Sequence, residues 1–474
     1  MLRTRGCPRA IMFRGVVLTA ALVLTWTRLA ASQAAIPFLG SVPTGQATGS
    51  VLDLSLSDAF ERALRYNLGG IEGREHTRAA NAARLRSLNA LLAQVTGRVS
   101  AAVNQINLQA VGFNLTIPGV SVPPVVGPFY VNDARVSVTQ ELFNWSDIQG
   151  VKSSSESERA AQLSYRSDRD LVVFTTGNAY LLVISDAAAV ESIRAQVRTA
   201  QALYDQDVDK NAQGVIARID VLRARVELQT QQQRQIAADN QLNIDKLSLA
   251  RVIGLPNGQD FRVTDTVPYR ALEDNTVEQA LVQAYATRPD YLAAQRQVTA
   301  AELTFRAATA EVYPSGSLAA DYGQIGNPNF SAAHGTYSVN VAVNIPIFLG
   351  SRVRADKLQA ESTLAQRRAE LADLGGRIDA QVRTAFYNLR SSSELVTVAQ
   401  SNIDLASETL TQAQDRLAAG VANNLEVVQA QESVAAANQS YIASLYSFNV
   451  AKIALAQTLG VAEQSAVTYL LGRP

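Results

Sequence analysis

Two carboxylates stand at matching places in the chain, each six residues after a glycine. Asp220 follows Gly214 and Glu426 follows Gly420, and both acids open a stretch of helix-forming residues. A helix dipole favours a carboxylate near the helix start, so one interpretation is a solvated structural role. The other is functional, with the acids attracting cations. Three arginines are placed to pair with Asp220 and, by hypothesis, to hold neighbouring helices together: Arg218, Arg223 and Arg225.

Catalytic and metal chemistry finds no support in the sequence. The two histidines, His76 and His334, lie far apart, and Cys7, the only cysteine, is close to neither. No nucleophile elbow, phosphate-binding loop or dinucleotide fingerprint is present. We therefore expect no enzyme, no metal site and no cofactor.

The composition favours closely packed helices over a bulky globular core. Of the 474 residues 47% are apolar, but only 6% are aromatic. The chain has 42 basic and 42 acidic residues. Its first 34 residues hold five arginines and no acid, so the remainder has 37 basic and 42 acidic residues, a net charge of −5. A mildly acidic chain gives no reason to expect nucleic-acid binding.

Residues 1–34 are typical of an export signal. Arginines precede an apolar run over 15–24, and small residues follow up to Ala34, where we expect cleavage. Met12 is an alternative start. Cleavage would remove Cys7, which leaves neither a disulfide nor a cysteine that could carry a lipid.

No later stretch has the roughly 20 apolar residues of a membrane helix, so the chain is periplasmic, secreted, or a β-barrel protein of an outer membrane.

The elements that position the two acids form a tandem duplication. Residues 179–254 align on 385–460 without a gap, and 19 of the 76 positions are identical. The best-matched segments are 214–222 and 420–428, each inside a long stretch without proline. A glycine within helix-forming sequence predicts the bend of a helical hairpin. The long helices leading to the bends, 143–214 and 348–420, would each be about 105 Å long. Shorter helices are predicted over 54–92, with a cap at Ser57-Asp58, and over 276–312.

Four strands are predicted, two in each repeat: 99–117, 135–143, 316–325 and 337–347. In the last, Tyr337, Val339, Val341 and Val343 alternate with Ser338, Asn340 and Asn344. This alternation predicts a barrel strand with the first set facing outwards and the second facing inwards. Tyr130 and Tyr337 are candidate interfacial anchors, and a bulge is predicted near Ala110-Val111. Since a barrel needs at least about eight strands, several chains must share one.

The chain resembles the TolC-type outer-membrane efflux proteins from Leu54 to about Glu463. The resemblance rests on the duplicated plan, on the strand ends at 140–143 and 345–350, and on the two Gly-Val-x-x-x-(Ile/Leu)-(Asp/Glu)-Val bends. It implies a mainly α protein with a β-barrel part, in which long coiled-coil hairpins form a periplasmic tunnel. Four transmembrane strands per chain would contribute to a 12-stranded barrel shared by a homotrimer.

The family resemblance also implies a function and partners. The protein would be a passive duct of a tripartite efflux or type I secretion system, recruited by a periplasmic adaptor and driven by an inner-membrane pump. The implied division of the chain is a signal peptide (1–34), an N-terminal extension (35–53), a first repeat (54–255), an equatorial linker (256–275), a second repeat (276–463) and a C-terminal tail (464–474). A non-pore periplasmic or secreted coiled-coil scaffold is the alternative; it accounts for the helices but not for the strands.

The resemblance assigns roles to the residues of the bends. The adaptor-contacting tips would be Gly214, Val215, Gly420, Val421 and Ala422. Glu426 holds the position of the first entrance carboxylate, and Asp220 is its counterpart. Three residues later this sequence departs from the family pattern, because Gln429 and Arg223 occupy the positions where a second ring of acids would stand. We therefore expect a single entrance ring of three Glu426 side chains. The transported substrate is not indicated.

Overall fold

The computed structural model describes residues 37–110, 112, 123–271, 276–326, 333–422 and 424–472. The predicted signal peptide lies outside these residues, as does Val111 of the predicted bulge. The helices are α1 (Leu56–Tyr66), α2 (Leu68–Asn89), α3 (Trp145–Ala212), α4 (Arg218–Ile253), α5 (Val277–Thr287), α6 (Pro289–Ala310), α7 (Arg352–Ala418), α8 (Asn424–Thr458) and α9 (Ala462–Leu471). The strands are β1 (Leu52–Leu54), β2 (Gln94–Asn107), β3 (Val125–Phe143), β4 (Phe261–Val263), β5 (Ser315–Gly326) and β6 (His334–Asn344).

The two long helices and their returns follow the predicted plan. Helices α3 and α7 have 68 and 67 residues, which corresponds to about 100 Å each. The returning helices α4 and α8 have 36 and 35 residues. Beyond α8 the chain forms α9 over most of the predicted C-terminal tail, and α9 buries Ala462, Ala466 and Leu470.

Each predicted short helix is in fact two helices. Asn67 separates α1 from α2 and Arg288 separates α5 from α6, each with extended backbone. In the second repeat the cause is Pro289, because the residue before a proline is driven out of the helical region. The first helix begins with a capping box in which Ser55, not Ser57, is the N-cap and Asp58 is its partner.

The chain forms two compact units, and the first contains a buried apolar core. This unit comprises residues up to 72, 168–280 and 381–474. Its core includes side chains from α1, α3, α4, α8 and α9. Tyr180 is fully buried, and its hydroxyl donates to the carbonyl oxygen of Leu54 (2.9 Å) and to Asp265 (3.0 Å). Strands β1 and β4 pair in parallel beside this core.

Helix α3 contains an apolar window long enough to cross a membrane, which the sequence analysis did not predict. It is the one helix among the described residues that meets this criterion of length and composition. The apolar side chains of its middle part, including Val172, Val173 and Leu181, belong to the buried core of the first unit. Core helices satisfy the same criterion, and 39% of this window is buried within the chain.

The first unit also contains a pair of facing carboxylates, Asp186 on α3 and Asp245 on α4. Asp245 is 9% exposed and accepts a hydrogen bond from Gln241 (2.6 Å), whereas one oxygen of Asp186 is buried without a donor. Burial, together with the facing Asp245 carboxylate, raises the pKa of Asp186 to about 7. The pair therefore holds one proton near neutral pH.

This shared proton predicts a pH-dependent stability. The folded chain binds the proton more tightly than the unfolded chain, so its stabilising effect is complete at acid pH. It should be lost as the pH rises from about 4, the ordinary aspartate pKa, to about 7. Asp186→Asn should flatten this decline in the thermal unfolding midpoint between pH 4.5 and 8. Asp209→Asn, at an exposed site on α3, should leave it intact. Equal slopes in wild type and Asp186→Asn would contradict the assignment.

The second unit, comprising 73–167 and 281–380, contains a four-stranded antiparallel sheet. The strand order is β2-β3-β5-β6, so the central pair β3–β5 joins the two repeats. In this pair Ser137 lies opposite Asp321. The register shifts between Asn104 and Ile106, and again between Glu141 and Phe143. The predicted bulge near Ala110 was wrong, because β2 ends at Asn107.

The two faces of this sheet differ sharply in polarity. The register places every charged residue of the four strands on one face: Arg98, Asp133, Arg135, Glu141 and Asp321. The other face carries valines and tyrosines, and many of them are exposed; Val99 is 80% and Tyr337 79% exposed. On this face Tyr322 lies directly opposite Tyr337. A sheet with one apolar and one charged face is the pattern of barrel strands between lipid and water.

Candidate functional site at the hairpin ends

The first hairpin end, between α3 and α4, is a glycine-terminated turn. The amide of Gly214 donates to the Asn211 carbonyl and that of Val215 to the Lys210 carbonyl, both at 2.9 Å. This is the Schellman arrangement, and it requires the left-handed backbone that Gly214 adopts with φ of 75°. The side chain of Asn211 closes the turn by donating to the Ile216 carbonyl at 2.8 Å.

The second hairpin end, between α7 and α8, repeats this geometry. The amide of Gly420 donates to the Leu417 carbonyl and that of Val421 to the Arg416 carbonyl, both at 3.1 Å. The φ of Gly420 is 72°. Val421 is 68% exposed, the same fraction as Val215 at the first end. The two bends aligned in the sequence are thus also equivalent in structure.

The predicted entrance residues lie in the first two turns of the returning helices. Glu426 is paired with Arg416 across the second hairpin end, with 3.4 Å between nitrogen and oxygen. Asp220 is paired with Arg223 one turn further along the same helix, at 3.3 Å. The pair seen for Asp220 therefore does not link neighbouring helices, and such a link stays a prediction. Gln429 is exposed.

The starts of α4 and α8 line one apolar groove of about 380 Å³. Its apolar lining is Ile219, Leu222, Val226, Leu425 and Val428. Ile219, Leu222 and Val226 are about half exposed or more, so the chain alone leaves an uncovered apolar surface beside the acids.

Neither this groove nor the role of Arg416 was predicted from the sequence. Val215, Ile219, Leu222 and Val226 recur at the three- and four-residue spacing of one helix face, which is the signal that could have revealed the groove. Arg416 precedes Glu426 by ten residues across a bend, so only the folded hairpin shows that they meet. Among the residues that the structure describes, no cluster of His, Cys, Asp and Glu could hold a metal ion.

The chain matches the sequence profile of a known protein family. The sequence profile of the family described as "Outer membrane efflux protein" matches residues 130–255 and 280–461, which include most of each repeat. The chain belongs to this family. It is accordingly an outer-membrane efflux channel protein, with its helical part in the periplasm.

Individual relatives are similar in length and fold. The chain is 24% identical over 439 residues to the outer membrane efflux protein BepC of Brucella suis, covering 90% of this chain and 89% of the relative. It is 20% identical over 358 residues to the outer membrane protein TolC of Escherichia coli, covering 72% of each. The crystal structure of VceC from Vibrio cholerae matches with a TM-score of 0.70 at 17% identity, covering 85% of this chain and 96% of VceC. These relatives are channel proteins, so the scaffold alternative gains no support.

Proposed function

We propose that three copies of this chain form one passive duct that carries substrate across the periplasm and the outer membrane. The observation that carries the proposal is the four-stranded sheet, whose outer strands β2 and β6 each have one edge unpaired among the residues that the structure describes. Unpaired backbone groups are not tolerated in lipid, so the sheet must close with other copies. Three copies supply twelve strands in a closed ring of identical contacts.

The hairpin ends are proposed as the docking surface for a periplasmic adaptor, which an inner-membrane pump accompanies. Two exposed valines at Gly-Val turns and the adjacent groove offer apolar area next to paired charges. Apolar area ringed by charge suits a helical partner with its own apolar stripe. We propose that the chain has neither an energy source of its own nor an enzymatic activity and that transport depends on the pump.

Glu426 is proposed as the acid at the duct entrance. Its pair with Arg416 is exposed, and exposed pairs contribute at most about 1 kcal/mol, so the pair alone does not hold the entrance shut. Reversing the charge with Glu426→Arg should turn a cation-attracting ring into an anion-attracting one. We expect the reversal potential across a bilayer under a KCl gradient to move towards the equilibrium potential of chloride. Glu278→Arg, the same change at an exposed position on α5, should leave it unchanged. No movement in Glu426→Arg would remove this residue from the entrance.

The duct itself is tested by single-channel recording. Protein extracted from outer membranes with detergent is added to a planar lipid bilayer. We expect discrete, uniform current steps from a trimeric fraction. Absence of steps from protein that is trimeric and folded by circular dichroism would contradict the proposal.

A further inference from the structure

The charged face of the sheet contains a compact network centred on Arg135. Its guanidinium donates to Asp133 on the same strand at 2.9 Å and to Asp321 on the adjacent β5 at 2.7 Å. The second oxygen of Asp321 accepts from the Ser338 hydroxyl on β6. All three charged side chains are only 21–26% exposed. One arginine therefore serves two aspartates, and the network carries a net charge of −1.

A fourth charge, Arg98, lies at the same level of the sheet. Arg98 on β2 is directly opposite Arg135 and diagonal to Asp133, whose own partner on β2 is Ser100. Two like charges directly opposite each other are destabilising unless acids offset them. Arg98 is exposed, and the described residues include no hydrogen-bond or ion-pair partner for it. Together these four residues, the charge belt, sum to zero.

The charge belt must face water and not lipid. An arginine on the lipid face of a barrel costs about 2–4 kcal/mol near the bilayer midplane, and the apolar face of this sheet contains no charged residue. Glu141, the remaining strand acid, is six residues from Arg135, about 20 Å along the strand. That separation exceeds the screening length of about 8–10 Å in physiological salt, so Glu141 does not alter the balance at the belt.

We propose that Arg98 is the balancing charge that keeps the duct neutral at the level of the charge belt, so that this level favours neither cations nor anions. The inference rests on the proposed function, because the charged face lines a pore only if the sheets close into a ring. Without Arg98 each chain would present −1 at this level, and three chains would form a ring of −3. Arg98 is thus a selectivity-determining residue, and the belt it completes admits both anionic and cationic solutes.

The test is a double-mutant cycle that changes the charge of the belt. For each variant the reversal potential of purified channels is measured under a KCl gradient. Arg98→Gln should raise the permeability of potassium relative to chloride, and Asp133→Asn should lower it. The double variant restores neutrality and should return to the wild-type ratio, as should Arg98→Lys. Arg86→Gln, the same substitution at an exposed site near the end of α2, is the matched control. The cycle is also measured in a Glu426→Gln background, so that the acid at the entrance does not determine the ratio of potassium to chloride permeability.

The outcomes separate this inference from the proposed duct. If wild-type trimers give no current steps, the proposed function fails. If they conduct but Arg98→Gln leaves the reversal potential unchanged, or shifts it in the same direction as Asp133→Asn, the belt is not the selectivity element. If Arg98→Gln fails to assemble, Asp133→Asn still tests the inference. We expect it to lower the permeability of potassium relative to chloride, whereas a purely structural role of the belt predicts no change in this ratio.

Discussion

Replacing the exposed valine at both hairpin ends with aspartate should abolish adaptor recruitment. Val215 and Val421 are each 68% exposed at glycine-terminated turns, so Val215→Asp with Val421→Asp alters the surface without disturbing the core. An unpaired carboxylate buried in a docked interface costs about 1–3 kcal/mol or more. With two sites on each of three chains we expect adaptor binding to weaken at least about 100-fold. The measurement is the amount of adaptor recovered per channel after cross-linking in cells.

The matched control for this experiment keeps the shape of the side chain. Val215→Thr with Val421→Thr is nearly isosteric and adds no charge, so adaptor recovery should stay close to wild type. Both variants should be present in the outer membrane at equal amounts, because neither residue belongs to a buried cluster. Full adaptor recovery by the doubly acidic variant would show that the hairpin ends are not the docking surface.

Removing the Asn67 side chain should have the largest effect on stability. Asn67 is completely buried, and its amide nitrogen donates to the carbonyls of Phe38 (2.8 Å) and Val252 (3.2 Å). Its oxygen accepts from the Gly69 amide at 3.0 Å. Asn67→Ala removes all three hydrogen bonds, and the Val252 carbonyl and the Gly69 amide are left unpaired in buried positions at about 1–3 kcal/mol each, so we expect a loss of several kcal/mol. A clear fall in the thermal unfolding midpoint, followed by circular dichroism, is the expected result.

An exposed asparagine provides the comparison for Asn67. Asn240 on α4 is exposed, so Asn240→Ala should change the free energy of unfolding by no more than about 0.5 kcal/mol. If Asn67→Ala proved as mild as Asn240→Ala, the hydrogen bonds at the break between α1 and α2 would not contribute as described.

Much of the fold follows from local sequence because its signals are repeated. Glycine at 214 and 420, each inside helix-forming sequence, predicted both hairpin ends. The alternation over residues 337–344 predicted β6 and its two faces. These features depend on backbone preference and periodicity, which short segments specify without knowledge of the fold. Pro289 was also a readable signal for the break between α5 and α6, although we predicted one continuous helix over 276–312.

Other features depend on residues that meet only after folding. Asn67 has no helix-breaking signature, and it ends α1 because its side chain finds partners at Phe38 and Val252. The pair Arg135–Asp321 joins residues 186 positions apart. Its existence requires β3 and β5 to be neighbours, which local periodicity does not specify. For the same reason the neutral charge belt was invisible in the sequence.

Disulfide trapping between edge strands tests whether the sheets of three chains close into one barrel. In a Cys7→Ser background the chain has no other cysteine, so engineered pairs are unambiguous. Val99→Cys on β2 is combined in turn with Val339→Cys, Val341→Cys or Val343→Cys on β6; all four positions lie on the apolar face. We expect at least one pair to yield a covalent trimer, and nothing larger, on a non-reducing gel of outer-membrane protein. Monomers from every pair, or a ladder extending beyond three, would contradict a closed ring of three chains.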